Sequence, residues 1–557
     1  MPILYAERLN VMPKEFEGKF LSFILDKCRE AVSNRIFAAC IYGLPPSKAL
    51  KKFGTLNVLV IVKDFGERVR GYRKRVNGIE LKIIASDKEI FEKDVKNEFL
   101  GGFLSDALLT IYTPLLNTEY LRKHELFVKI RTLRAIIENL ILEYPEFCRE
   151  MLIKPEYFIY ELARRKVKIF PLFRHGVSLF FREIVREERL EPILERFRLS
   201  FKKLEENDVI EILDGYIKIK LSFIDRLKKQ KLKTFFRKIQ KKALTTILDL
   251  IPEASGPLIF EDLTVKGLKN SEKYLYIPTS IGLVSLAERT SVDDFVSKLT
   301  PDAKISRIEF KEIGGILNSV YLLKIKFEDE SEKCVVVKKF KDWLGLKWFP
   351  ITLWTLGTKS FAVLGESRLE KEYAINKFLR SKGFNVPEIL YVSPKKGLIF
   401  QEYIEGVPSV KIVKQILLDK REDLTQNLEL IRRIGAEIAK VHAYNVCIGD
   451  SKPENILIMH DNRIFFVDLE QASRGGDKAW DVAEFLYYSG HYALITSPIE
   501  AVKKLTKSFI RGYLDAGGDE KIIKEAGSAK YTKVFSIFAL PHVILTISNL
   551  CKKLGEE

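Results

Sequence analysis

Two short runs early in the chain, NVLVIVKDF (57–65) and IELKIIASD (79–87), are rich in β-branched residues and end at turn formers, the pattern of strands. With the segments around them they predict a mixed α/β region over residues 1–118. From 119 to 207 the apolar positions recur mostly at helical spacing. VIEILDGYIKIK (209–220) then alternates on both sides of Asp214-Gly215, which predicts a β-hairpin. Several helices followed by a hairpin suit a winged-helix module, so residues 119–250 read as a second region. IPEASGP (251–257) carries Pro, Gly and Ser and marks a boundary. Strand-like segments dominate from about 275 to 340, helical ones follow, and a second hairpin pattern stands at NILIM and RIFFVD, on either side of Asp461-Asn462. Late in the chain, the apolar run VFSIFALPHVILTISNL is broken by Pro541 and His542, which predicts a buried helix pair and no membrane span. The expected class is α+β and multidomain.

Composition narrows this picture without naming an activity. A chain of 557 residues carries more than one domain by default, and 46% hydrophobic with 30% charged residues is the balance of a folded chain, which excludes a disordered or fibrous class. The six cysteines include no CxxC pair, which argues against a zinc site or a disulfide framework and fits the cytoplasm. The N-terminal stretch has no apolar core of the kind a signal peptide needs. A formal charge of +18 favours phosphate-rich partners. It is concentrated in RLKKQKLKTFFRKIQKK (226–242), where nine of seventeen residues are Lys or Arg. The plain reading of such a run is a solvated linker face. Phe235 and Phe236 argue for at least partial docking, and residues 155–242 are the candidate contact for RNA or DNA.

The chemistry concentrates in IGDSKPENILIMHDNRIFFVDLE (448–470). Asp450 and Asn455 lie on a loop restrained by Pro453, and Asp468 falls where the return strand of the hairpin ends. Such a hairpin brings Asn455 and Asp468 together near the loop that bears Asp450. Phosphoryl transfer from ATP needs a set of this kind: one carboxylate to take or orient the acceptor's proton, and a few hard oxygens to hold Mg²⁺. Taken singly, each of the three is more often a turn or capping residue.

GDSKPEN resembles the catalytic loop of the protein-kinase-like superfamily, and DLE (468–470) stands in the place of its DFG motif. KCVVVKKF puts Lys338 after a β-branched run, as in the phosphate-gripping strand lysine, with Lys339 as the neighbouring alternative. EKEYAINKFLRSKGFNVPEIL resembles the helix that supplies its partner, which points to Glu372. EIGGILNSVYLLKI holds Gly314 and Gly315 where the glycine-rich loop belongs, and LIFQEYIEG resembles the hinge, where backbone groups of Glu402 and Ile404 would meet adenine. GDKAWDVAEFLYY resembles a segment shared by atypical kinases and aminoglycoside phosphotransferases. The resemblance covers about half of the chain and is nearest to archaeal atypical Ser/Thr kinases, related to RIO kinases and the small kinase of the KEOPS complex. It implies a bilobal kinase-like domain over 275–557 and ATP and Mg as cofactors. Asp450 would be the base or acceptor-positioning group, Lys452 would stabilise the transferring phosphate, Lys338 and Glu372 would form an ion pair, and Asn455 and Asp468 would be the metal ligands. His442, Asp477 and Asp481 read as packing or bracing residues.

The chain departs from the pattern in three places. Ile448 stands where a bracing His is usual, Glu470 replaces the Gly of DFG, and the long gap from Lys338 to Glu372 holds Trp343, Trp348 and Trp354, as core or as a flap. Upstream, IYGLPPSKALKKFGTLNVLVIV resembles a nucleotidyltransferase fold. Asn57 and Leu59 replace the two metal-binding carboxylates there, and Glu80 is left for the third position, which implies a catalytically dead copy. The expected function is an ATP- and Mg-dependent kinase acting on Ser/Thr hydroxyls of protein, itself included. The alternatives are a small-molecule phosphotransferase and an ATP-binding scaffold that contacts nucleic acid.

Overall fold

The computed structural model describes residues 14–32, 35–43, 54–168, 177, 180–181, 190–229, 270–301, 303–314, 319–341, 364–418 and 424–553. The chain divides into two compact units, Met1–Tyr276 and Ile277–Glu557. Gly315, the three tryptophans of the 341–365 segment and the basic run beyond Lys229 lie outside the described residues.

The first unit opens on a five-stranded sheet with strand order 69–76, 79–87, 55–62, 36–43, 111–116. The β-branched runs found by pattern are its two parallel neighbours, Thr55–Val62 and Ile79–Asp87. Asp87 ends the second and caps the helix Lys88–Asn97, its carboxylate accepting the Glu89 N–H at 2.8 Å. Register decides the fate of Glu80. It lies opposite Thr55, which donates to it at 3.2 Å, whereas Asn57 faces Lys82. Glu80 therefore does not stand beside Asn57. No group of three potential metal-ligating side chains occurs among the described residues.

Beyond the sheet come the helices Thr118–Glu143, Glu156–Lys168 and Glu191–Glu206, in the stretch whose spacing is helical. The hairpin of Ile210–Leu213 and Tyr216–Ile219 follows. Asp214 and Gly215 both have positive φ, 46° and 80°, the geometry that an Asp-Gly two-residue turn supplies. Of the basic run only its beginning is described, as the end of the helix Leu221–Lys229. There Lys228 donates to the Pro145 carbonyl at 2.7 Å and pairs with Glu146 at 3.1 Å, so this cation is engaged within the unit.

The second unit begins with sheet-rich structure and ends with helices. Its main sheet is antiparallel throughout, in the order 305–314, 319–327, 332–339, 398–402, 389–393. The helix Gly365–Ser381 buries Leu369, Tyr373, Ile375 and Leu379. After the strand Leu398–Glu402 the chain turns helical, with Thr425–Ala443, Lys478–His491 and Ile499–Asp515 sharing one apolar core. Two small ladders carry the chemistry-bearing loops: 456–458 with 464–466, and 446–447 with 473–474. The late apolar run is the expected helix pair, Ala529–Phe535 and Pro541–Lys553. No described helix is long and apolar enough to cross a membrane.

The helices Thr425–Ala443 and Ile499–Asp515 approach so closely that glycine is required on both. A Cβ on Gly512 would stand 1.8 Å from the Arg432 carbonyl oxygen, and one on Gly435 would stand 2.2 Å from that of Phe509. Backbone cannot yield as a side-chain tip can, so the helices would have to part. Gly512→Ala is expected to destabilise the protein by about 3 kcal/mol, the upper range for overpacking. Urea unfolding followed by circular dichroism measures this, and a midpoint equal to wild type would refute the packing argument.

Candidate active site

In the strand Glu332–Lys339 alternate residues share a face, so Lys338 lies on the face of Cys334 and Val336, opposite to that of the buried Val335 and Val337, and it pairs with Ile399. Lys338 is buried and Lys339 exposed. The ammonium of Lys338 donates to Glu372 Oε1 at 2.9 Å and to Asp468 Oδ1 at 3.2 Å. Burial works against its charge, yet the charges of Asp468 and Glu372 and the bond to Glu372 outweigh that, and the Lys338 pKa is raised. The spacing of motifs did not reveal Gln401. It is buried on the neighbouring strand and donates from Nε2 to the same Glu372 oxygen at 2.8 Å. Its only signal is its place in LIFQE, a polar residue inside an apolar strand.

Asp450, Lys452 and Asn455 share one loop. Lys452 Nζ donates to Asp450 Oδ2 at 2.9 Å, and Asn455 Nδ2 donates to the Asp450 backbone carbonyl at 3.0 Å. Burial again opposes the Lys452 charge, but the Asp450 carboxylate outweighs it and the lysine pKa is raised. The ladder that pairs Ile456 with Phe466 sets Asn455 and Val467 side by side, and the Val467 N–H donates to the Asn455 carbonyl at 3.0 Å. Asp468 comes next, with φ at 66°, a left-handed conformation rare outside glycine.

These atoms suit a magnesium ion. The Asn455 amide nitrogen is turned to the Asp450 carbonyl, which directs its side-chain oxygen elsewhere, and Asp468 keeps Oδ2 while Oδ1 meets Lys338. Two hard oxygens from Asn455 and Asp468 are the donor set that Mg²⁺ accepts while retaining most of its water.

The loop is braced from below. Asp481, fully buried on the helix Lys478–His491, accepts the Ile448 N–H at 2.6 Å and the Gly449 N–H at 2.7 Å. Its carboxylate also meets His442 Nε2 at 3.0 Å, while His442 Nδ1 meets the Tyr513 hydroxyl at 2.8 Å. A carboxylate can only accept, so Nε2 carries the proton. Glu484, one turn on, accepts the Ser451 N–H at 2.7 Å. The absence of a histidine at position 448 therefore leaves the loop braced, because backbone donors to Asp481 hold it and the Ile448 side chain fills the core. Asp477 serves differently: it caps the helix Lys478–His491 and binds Lys530 at 2.6 Å.

Gly314 ends the strand Ile305–Gly314 opposite Val320, and among the described residues nothing lies within 4 Å of where its Cβ would be. Glu402 ends the strand Leu398–Glu402, and its N–H donates to the Glu388 carbonyl at 2.8 Å. The Ile404 carbonyl accepts the Gly406 N–H at 3.0 Å. Both of these groups are thus committed within the protein. Lys338, Glu372 and Asp468 are joined directly, as are Asp450, Lys452 and Asn455, and the Asn455–Val467 bond links the two sets.

Residues 327–513 match the lipopolysaccharide kinase (Kdo/WaaP) family. The KEOPS complex subunit Bud32 of Pyrococcus abyssi is 25% identical over 165 residues, which are 28% of this chain and 68% of that protein. A probable serine/threonine-protein kinase, the BUD32 homolog of Archaeoglobus fulgidus, is 24% identical over 168 residues, 29% of this chain and 84% of its own length. A 3-deoxy-D-manno-octulosonic acid kinase of Vibrio vulnificus is 30% identical over 124 residues, covering 22% of this chain and 48% of that enzyme. All of these similarities are to kinases or kinase homologues, and the matched family spans both Lys338 and the loop of Asp450. These similarities support an atypical protein-kinase-like superfamily for the second unit of this chain.

Proposed function

We propose that the second unit, as two kinase-like lobes, transfers the terminal phosphoryl group of ATP to a Ser/Thr hydroxyl of a protein. The observation that carries this reading is the single cation Lys338 bonded to both Glu372 and Asp468, on a site whose opposite side presents Asp450 with Lys452. In this reading Lys338 grips the phosphates, held in place by Glu372 and Gln401. Asp450 takes the proton of the acceptor hydroxyl as the new O–P bond forms. Lys452, already beside Asp450, meets charge on the transferring group. Bound Mg²⁺ would neutralise the phosphates at the oxygens of Asn455 and Asp468. The carbonyl of Glu402 and the N–H of Ile404 are left for adenine, with Gly314 and Gly315 over the phosphates.

A sugar hydroxyl is the second reading, favoured by the similarity to 3-deoxy-D-manno-octulosonic acid kinase. The proximity of Lys452 to the base and the similarity to a probable serine/threonine-protein kinase support the protein acceptor. The Pyrococcus abyssi relative is named as a KEOPS complex subunit, so proteins that copurify with the chain are the first acceptors to try. The purified protein is incubated with γ-labelled ATP and Mg²⁺, alone and then with cell extract. Label on the chain or on another protein is the expected result. Label confined to small molecules would transfer the assignment to the sugar-type reading, and no label anywhere would overturn both.

A further inference from the structure

Arg368 lies one turn before Glu372 on the helix Gly365–Ser381, so both side chains leave the same face. Arg368 is fully buried, an unusual place for a guanidinium, and its partner is Glu470 at 3.2 and 3.3 Å from Nη1 to the two carboxylate oxygens. Its Nη2 donates to the carbonyl of Lys341, just past the strand that carries Lys338. Neither residue touches the loop of Asp450 through any hydrogen bond described above. What they touch is the segment that carries Asp468.

These contacts close a ring. The helix reaches Lys338 through Glu372, Lys338 reaches Asp468, and two residues further on Glu470 returns to the helix through Arg368. Asp468 sits in a left-handed conformation that a non-glycine residue keeps only when its surroundings over-determine it. On its C-terminal side those surroundings are Leu469, buried in the core, the turn closed by the Ala472 N–H on the Leu469 carbonyl at 3.0 Å, and the Glu470 pair. We infer that Arg368 and Glu470 form a positioning pair: gripping Glu470 from the helix of Glu372 holds the Asp468 turn in the geometry that binds metal, and Glu470 itself does not touch the metal. This rests on the kinase reading for its catalytic consequence, but the geometry it asserts stands apart from turnover.

The pair therefore has two tests. In the first, Mg²⁺ is titrated against ATP turnover in wild type, Arg368→Lys, Glu470→Gln and the doubly apolar Arg368→Met/Glu470→Met. Outer partners of a metal site cost about 10–100-fold in metal affinity when lost. Each single variant is expected to raise the half-maximal Mg²⁺ concentration about tenfold, with a smaller change in kcat. The double variant should be no worse than the singles, since removing both charges leaves none stranded. If Glu470→Gln shifts the Mg²⁺ requirement while Arg368→Lys leaves it at the wild-type value, Glu470 acts on the metal directly and the inference falls.

In the second test, hydrogen–deuterium exchange is followed in the full chain without nucleotide. The amides of 469–472 are expected to exchange at least tenfold faster in Arg368→Lys and in the double variant, while the helix Lys478–His491 keeps its protection. Unchanged exchange at 469–472 overturns the pair whatever the turnover data show. A wild-type protein without turnover would sink the kinase reading alone, and exchange would then decide the pair.

Discussion

Asp468→Asn is expected to abolish Mg²⁺-dependent ATP turnover while leaving the thermal unfolding profile close to wild type. The substitution keeps the shape of a partly exposed side chain but removes the charge that faces both Lys338 and the metal position. Asp450→Ala acts on the other side of the site. It removes the proposed proton acceptor and also strands Lys452, whose raised pKa comes from the Asp450 carboxylate winning over burial. Losing a general base costs about 10²–10⁴ in rate, so Asp450→Ala should lower kcat at least a hundredfold. Steady-state ATP turnover over a range of Mg²⁺ concentrations checks both variants. Near-native rates in both would mean that these residues do not form the reacting centre, however well they are placed.

Lys338→Ala and Glu372→Ala are expected to damage one and the same step. Each should lower turnover by one to two orders of magnitude, on the order expected for a lost phosphate clamp. The double variant should fall within a few-fold of the worse single, because residues that act as a unit are not additive. The geometry also predicts an asymmetry. Without Lys338, Glu372 remains bonded to Gln401, whereas without Glu372 the lysine is left to Asp468 alone. Glu372→Ala should therefore draw Lys338 toward Asp468, the proposed metal ligand, and raise the Mg²⁺ requirement more than Lys338→Ala does. Fully additive losses in kcat/KM would break the pairing and point instead to Glu366 or Glu370 of the same helix.

Much of the candidate site was legible in the order of short segments. Asp450, Asn455 and Asp468 are tied by chain length and one hairpin, so local rules bring them together. Lys338 could not be read as inward from strand alternation, since the buried Val335 and Val337 lie on the other face; its burial and its bonds to Glu372 and Asp468 separate it from Lys339. Arg368 and Gln401 were silent, since a buried arginine and a buried glutamine have no pattern of their own. Their meaning lies in partners 102 and 29 residues away. Glu470 was visible as a departure from a motif, but only its partner shows what replaced the glycine. Ile448 is the opposite case: the sequence suggested a lost brace, and the fold supplies it through the Asp481 carboxylate, which accepts the backbone N–H groups of Ile448 and Gly449.

The chain's own pattern determined what depends on neighbours a few residues apart: the strands at 55–62 and 79–87, the Asp214-Gly215 hairpin, the helix break at Pro541, and the loop that carries Asp450, Lys452 and Asn455. Period, turn chemistry and propensity are local, and they can be read without knowing what lies across the core. Tertiary structure decided the register that parts Glu80 from Asn57, the helix contact that only Gly435 and Gly512 permit, and the ring from Glu372 through Lys338 and Asp468 to Arg368. Each of these depends on where two distant segments stop sliding past one another. That is settled by the packing of side chains into a dense core and by the cost of leaving a buried charge without its partner.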